Sequence, residues 1–93
     1  MILPIFDGKW TSWYENGQKR GEGTFKNGEP DGLTTTWYEN GQKRSEGTYK
    51  DGKLDGLSTI WYKNGQKKIE ATYKDGEVID FKEWDEDGNK EQW

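Results

Sequence analysis

The sequence predicts an all-β fold, a single open and elongated antiparallel β-meander of tandem hairpins. Three observations lead there. Shifting the chain by 24 residues lays residues 12–35 over 36–59 with 17 of 24 positions identical, and both over 60–83. A period of this length marks an architecture in which each unit buries surface only against its neighbours. Within each unit two turn-forming dipeptides alternate: Asn16-Gly17, Asn40-Gly41 and Asn64-Gly65, then Asn27-Gly28, Asp51-Gly52 and Asp75-Gly76. Their separations of 11, 13, 11, 13 and 11 residues leave segments of roughly seven to ten residues, the length of strands and too short for helices.

The chain is read as one domain over residues 1–93, with repeats at about 12–35, 36–59 and 60–83 and a partial C-terminal cap at 84–93. Asn-Gly and Asp-Gly tolerate the positive φ angles of a two-residue type I′ loop, so both turn series are expected to close hairpins of that kind. A further glycine in Asp31-Gly32 and Asp55-Gly56 falls just past the second turn, where a strand glycine marks a bulge or a close approach by a neighbouring side chain. Toward the C-terminus the pattern decays. Ala71 replaces a glycine, Ile79-Asp80 replaces Asp-Gly, and Trp84 arrives one residue early, as in a capping unit.

A two-residue loop at Asn40-Gly41 makes Trp37 face Arg44 and Tyr38 face Lys43, and alternation sends Trp37 and Tyr38 to opposite sides. Leu33, Trp37, Arg44, Glu46, Leu57 and Trp61 then share one face, and Tyr38, Ser45, Gly47, Tyr49, Leu54, Ile60 and Tyr62 the other. Equivalent residues of adjacent units lie two strands apart, ~9.6 Å, a gap that admits one interleaved side chain. The expected result is a ladder of Trp13, Arg20, Trp37, Arg44, Trp61 and Lys68, with cation–π contacts of about 0.5–1 kcal/mol each. Recurrence in every unit favours a stiffening role for it. It is also the candidate partner-binding face.

Composition narrows the functions. Leu, Ile, Val and Phe number only 13, but 14 aromatic residues supply large apolar bodies with polar tips and suit a thin, half-solvated sheet. The chain has no cysteine and no histidine, which removes disulfides, thiolate metal sites and the commonest general base. Glu22, Glu46 and Glu70 recur with the period and are expected to balance Arg20, Arg44 and Lys68 rather than form an acid–base pair, whose two carboxyls need different environments. Asp85, Glu86 and Asp87 lack the spacing of a calcium loop. No catalytic residue, metal or cofactor is therefore expected. The net charge of −4 opposes attraction to nucleic acid and to anionic membranes. No apolar run approaches the ~20 residues that cross a bilayer.

The segment Glu46-Gly47-Thr48-Tyr49-Lys50-Asp51-Gly52-Lys53-Leu54-Asp55-Gly56-Leu57 resembles the MORN repeat hairpin, with its aromatic strand, tight turn and second glycine, and residues 22–33 follow the same pattern. The added Trp-Tyr-Glu-Asn-Gly-Gln segment at 13–18 and 37–42, with Lys63 for Glu at 61–66, is similar to the bacterial variant of the repeat, including YwqK-type antitoxins. The resemblance covers about residues 8–92 and implies a β-meander that binds or presents another protein. A looser similarity, to choline-binding cell-wall repeats, implies an aromatic-ladder binder of a small ligand or glycan. An open meander also leaves two edges through which a homodimer would form. The apolar residues 1–6, which include Pro4, are expected to guard the N-terminal edge, to plug one face, or to form the seam to a neighbouring domain.

Overall fold

Turn chemistry sets the architecture. The computed structural model describes residues 7–91, and these form strands β1 (Gly8–Trp13), β2 (Lys19–Lys26), β3 (Glu29–Pro30), β4 (Gly32–Trp37), β5 (Lys43–Lys50), β6 (Lys53–Trp61), β7 (Lys67–Lys74) and β8 (Glu77–Glu83). They pair antiparallel in one sheet, ordered β1-β2-β4-β5-β6-β7-β8, with the short β3 hydrogen-bonded to β2. This is the open meander that the repeat and its turns predict.

The second turn series behaves as expected. Asn27 and Gly28 take φ of 54° and 79°, Asp51 and Gly52 51° and 83°, and Asp75 and Gly76 52° and 85°, the paired positive angles of type I′. The first series does not. At Asn40-Gly41 only the glycine has positive φ, 87°. The Gly41 N–H donates to the Tyr38 carbonyl at 3.0 Å, and the Tyr38 N–H donates to the Gln42 carbonyl at 2.9 Å. That is a type I turn followed by a glycine bulge, a three-residue loop in place of the expected two. The Asn side chain explains the choice: Asn40 Oδ1 accepts the Gln42 N–H at 2.9 Å, while Nδ2 donates to the Lys63 carbonyl of the next unit at 3.1 Å. Asn16 and Asn64 are held in the same way.

The extra loop residue moves the register. Thr36 pairs with Ser45, but Trp37 pairs with Lys43, leaving Arg44 as the bulged residue. Trp13 likewise pairs with Lys19 and Trp61 with Lys67, which displaces Arg20 and Lys68. The expected Trp37–Arg44 and Tyr38–Lys43 pairings are thus corrected. A second irregularity, between Gly47 and Tyr49 opposite Gly56 at φ 104°, is the bulge that Asp55-Gly56 predicts.

Almost nothing in this sheet is fully enclosed. Ala71 is the only buried apolar residue among the described ones, and Thr35 and Thr59 are buried polar residues. Hydrogen bonds between units take over the role of a core. Tyr14, Tyr38 and Tyr62 each donate a hydroxyl to the carbonyl of the next unit's Trp37, Trp61 or Trp84, at 2.6, 2.7 and 2.9 Å. At the opposite end the Gly52 and Gly76 N–H groups donate to the carbonyls of Pro30 and Leu54. Each hairpin is therefore tied to the preceding one at both tips.

The last copy repeats the first turn of the unit. Trp84 bridges to Lys90, Asp85 N–H donates to the Asn89 carbonyl, and Gly88 N–H to the Asp85 carbonyl. Asp85 takes the place that tyrosine holds in the other copies, and its Oδ1 accepts the Asp87 and Asn89 N–H groups at 3.0 and 2.9 Å. The expectations for residues 1–6 lie outside the described residues.

Candidate functional site

On the tryptophan side, pairing aligns three rows across the strands. Trp13, Trp37 and Trp61 form the first with Lys19, Lys43 and Lys67 opposite them; Thr11, Thr35 and Thr59 form the second with Glu22, Glu46 and Glu70. In the third, Leu33 and Leu57 face Thr48 and Thr72. Strand alternation accounts for the triplets Leu33, Thr35, Trp37 and Leu57, Thr59, Trp61, each read along one strand.

A cation–aromatic ladder exists, but with different cations from those expected. The Lys19 Nζ lies 5.7 Å from the Trp37 ring centre, Lys43 5.9 Å from Trp61, and Lys67 5.9 Å from Trp84. The bulge carries Arg20 and Lys68 to the opposite side, over Tyr14 at 5.9 Å and Tyr62 at 5.7 Å. Lys63 stands 6.0 Å from the Tyr38 ring. Of the residues expected to form the face, Trp13, Trp37 and Trp61 stand on it and Arg20, Arg44 and Lys68 do not. Lys19, Lys43, Lys67 and Trp84 are the members that spacing missed. Their signal was a lysine three residues before a glutamate in every unit.

The periodic glutamates neutralise these lysines and not the arginines. Lys19 reaches Glu22 at 3.3 Å, Lys43 reaches Glu46 at 2.9 Å, and Lys67 reaches Glu70 at 2.7 Å. Lys9 adds a second cation to Glu22 at 3.0 Å, and the Thr35 hydroxyl donates to Glu46 at 3.1 Å. Hydrogen bonding from Lys9, helped by Lys19, holds the Glu22 carboxyl below its ordinary value, and Lys67 does the same for Glu70. Lys43 and Lys67 thus form one-to-one pairs with glutamates beside the indole rings, whereas Glu22 stands between two lysines.

Apolar surface accompanies the strip. Leu33 and Leu57 are each 54% exposed and Trp13 is 57% exposed. Between Trp13 and Trp37 lies a cleft of about 390 Å³, also lined by Gly17, Gln18, Lys19 and Gly41. The tyrosine side has a comparable cleft of about 350 Å³ among Tyr14, Tyr38, Glu39, Asn40 and Lys63. There, however, the tyrosine hydroxyls are engaged in joining units.

No group of three or more metal-ligating side chains occurs among the described residues. In the acidic segment, the Asn89 amide foremost, with Asp87 and Gly88, holds the Asp85 carboxyl below its ordinary value. Burial first, then the charges of Glu86 and Asp85, push the Tyr62 hydroxyl up, so it remains a donor to Trp84.

A family model described as a MORN repeat variant matches residues 6–27, 30–51 and 54–75, each match beginning 24 residues after the previous one. Comparison with curated proteins and with solved structures gives no match.

Proposed function

The chain belongs to the MORN repeat variant family, and on that basis we propose that it is a non-enzymatic protein-interaction module whose partner surface is the tryptophan side of the sheet. Such repeats commonly serve as interaction or binding modules. The observation that carries the assignment to this side is the exposure of Leu33, Leu57 and Trp13 beside a strip whose lysines are already paired. Exposed aromatic and aliphatic groups with their neighbouring charges satisfied are what the desolvated centre of an interface requires. An antitoxin-like role is one form of this reading, with the open face covering the working surface of its partner.

The test is affinity capture from lysate with the full chain, its Trp37→Ala/Trp61→Ala variant and its Arg44→Ala variant. A partner held by the parent and by Arg44→Ala but lost by the double variant is the expected result. Loss with Arg44→Ala alone, with both tryptophans dispensable, would move the surface to the tyrosine side.

The cleft between Trp13 and Trp37 supports a second reading, a binder of a small ligand or glycan. Lys19 at 5.7 Å from the Trp37 ring makes this wall unsuited to a quaternary ammonium, because the site already holds a cation. Titration of tryptophan fluorescence with choline and with cell-wall sugars separates the cases. A saturable response to the sugars alone supports the glycan form.

A further inference from the structure

The sequence holds four Asn-Gly dipeptides, beginning at Asn16, Asn27, Asn40 and Asn64, and the fold does not treat them alike. Asparagine before glycine is prone to lose its side-chain amide, because no side chain on the next residue hinders attack by that residue's backbone nitrogen. In the first turn of each unit the asparagine side chain is clamped at both ends. Asn16 Oδ1 accepts the Gln18 N–H at 2.9 Å, and its Nδ2 donates to the Glu39 carbonyl at 3.0 Å. Asn40 and Asn64 accept the Gln42 and Gln66 N–H groups, each at 2.9 Å, and donate to the carbonyls of Lys63 and Glu86 at 3.1 and 2.9 Å. Each of these amides is anchored both in its own loop and to the next unit.

Asn27 belongs to the other turn series. It is exposed at φ 54°, and its backbone N–H donates to Asp7 Oδ1. Its side-chain amide makes no hydrogen bond to any described residue. The glycine N–H does not separate the two series, since Gly41 donates to the Tyr38 carbonyl and Gly52 to that of Pro30. The asparagine side chain does.

We propose that Asn27 is the site at which this chain deamidates, and that Asn16, Asn40 and Asn64 are protected by their bonds to the neighbouring unit. The Gly28 nitrogen gives its proton to water and bonds to Asn27 Cγ. The Cγ–Nδ2 bond then breaks, and Nδ2 takes up a proton and leaves as ammonia. A water molecule opens the resulting five-membered imide at either of its carbonyls, which puts aspartate or isoaspartate at position 27 and a new carboxylate on the turn.

The other units indicate what each product does. Asp51 and Asp75 hold the same turn position at φ 51° and 52°, and Asp55 Oδ2 accepts the Asp75 N–H at 3.3 Å, as Asp7 accepts that of Asn27. Aspartate at position 27 therefore fits the turn and adds one negative charge near Asp7. Isoaspartate carries the main chain through the side-chain carbon. It lengthens a loop whose two residues fix the pairing of Lys26 with Glu29 and of Phe25 with Pro30.

The test is incubation of the full chain at neutral pH, in buffer and in denaturing urea, with deamidation at each asparagine followed by peptide mass spectrometry. In urea the four sites should react at similar rates, since glycine follows each. In buffer Asn27 should react at least about tenfold faster than the other three, which must first break their bonds to the next unit by local opening. An Asn27→Asp variant should gain no acidic species on ion exchange over the time in which the parent gains one. Equal rates at the four sites in buffer overturn the proposal, as does a folded chain in which Asn16, Asn40 or Asn64 reacts first, or in which Asn27 is stable while it reacts in urea. Amide hydrogens of residues 25–30 should exchange faster in the isoaspartyl fraction than in Asn27→Asp; equal exchange would overturn the disturbance assigned to isoaspartate.

Discussion

Gly23, Gly47 and Ala71 occupy one position in three consecutive units, yet their surroundings differ. A methyl group on Gly23 would lie 2.8 Å from Trp10 Nε1 and 2.9 Å from Thr34 Oγ1, whereas on Gly47 it would meet Leu54 Cδ2 at 3.1 Å and Ser58 Oγ at 3.2 Å. Trp10 also covers Gly21, where the corresponding distance is 2.9 Å, so a shift of the indole disturbs both contacts. Gly23→Ala is therefore expected to destabilise the protein by about 1–3 kcal/mol and Gly47→Ala by clearly less, both measured by urea denaturation. The third unit, built with Ala71 at this position, demonstrates that the backbone itself accepts a side chain there. The tyrosine hydroxyls carry a separate expectation. Tyr38→Phe removes the 2.7 Å bond to the Trp61 carbonyl and should lower stability by about 1 kcal/mol in the same assay, more if the carbonyl is left without water.

At the level of hairpins and cap, the first turn of each unit decides which cation lies beside which ring. Its glycine bulge gives the tryptophans to Lys19, Lys43 and Lys67 and the tyrosines to Arg20 and Lys68. The lysine–glutamate pairs and the cap also give the sheet an acid sensitivity whose direction follows from linkage. Asp85, Glu22 and Glu70 have folded values below those of free carboxyls. Their contribution is therefore complete above the ordinary carboxylate value, about 4, and is lost as pH falls through the depressed folded values. Melting temperature should drop on acidification below that range. Asp85→Asn, which keeps an acceptor oxygen for Asn89 and removes the charge, should flatten the part of that drop belonging to the cap. An unchanged acid profile in this variant would place the sensitivity in the glutamates alone.

As a whole molecule the protein is a thin twisted sheet, with Cα extents of 50 × 36 × 19 Å, in which every unit presents nearly the same surface to the next. Stability in such an array is approximately a sum over units and their interfaces. Deleting residues 36–59 joins Thr35 to Ile60 in register and removes one complete unit. The shortened chain should fold into a sheet of the same kind, with a smaller denaturant m-value because less surface becomes exposed on unfolding. Deleting one residue fewer would shift the alternation, exchange the tryptophan and tyrosine sides beyond the junction, and prevent cooperative folding. Circular dichroism through a urea titration distinguishes the two deletions.

The period, the type I′ turns, the bulge at Asp55-Gly56 and the division of Trp37 from Tyr38 were legible in the sequence, because each depends on short-range backbone chemistry that a dipeptide or an alternation encodes. Much of the candidate site was legible for the same reason, since Trp13, Trp37 and Trp61 recur on one strand parity. What only the tertiary structure decided was the partner of each ring. Asn-Gly permits a two-residue or a three-residue loop, and the Asn40 amide settles on the latter while bonding to the Lys63 carbonyl of another unit. That single added residue lies beyond the reach of local propensity. It takes Arg44 out of the pairing with Trp37, brings Lys43 and Glu46 together at 2.9 Å, and turns what read as a tryptophan–arginine ladder into a tryptophan–lysine strip whose lysines are held by glutamates.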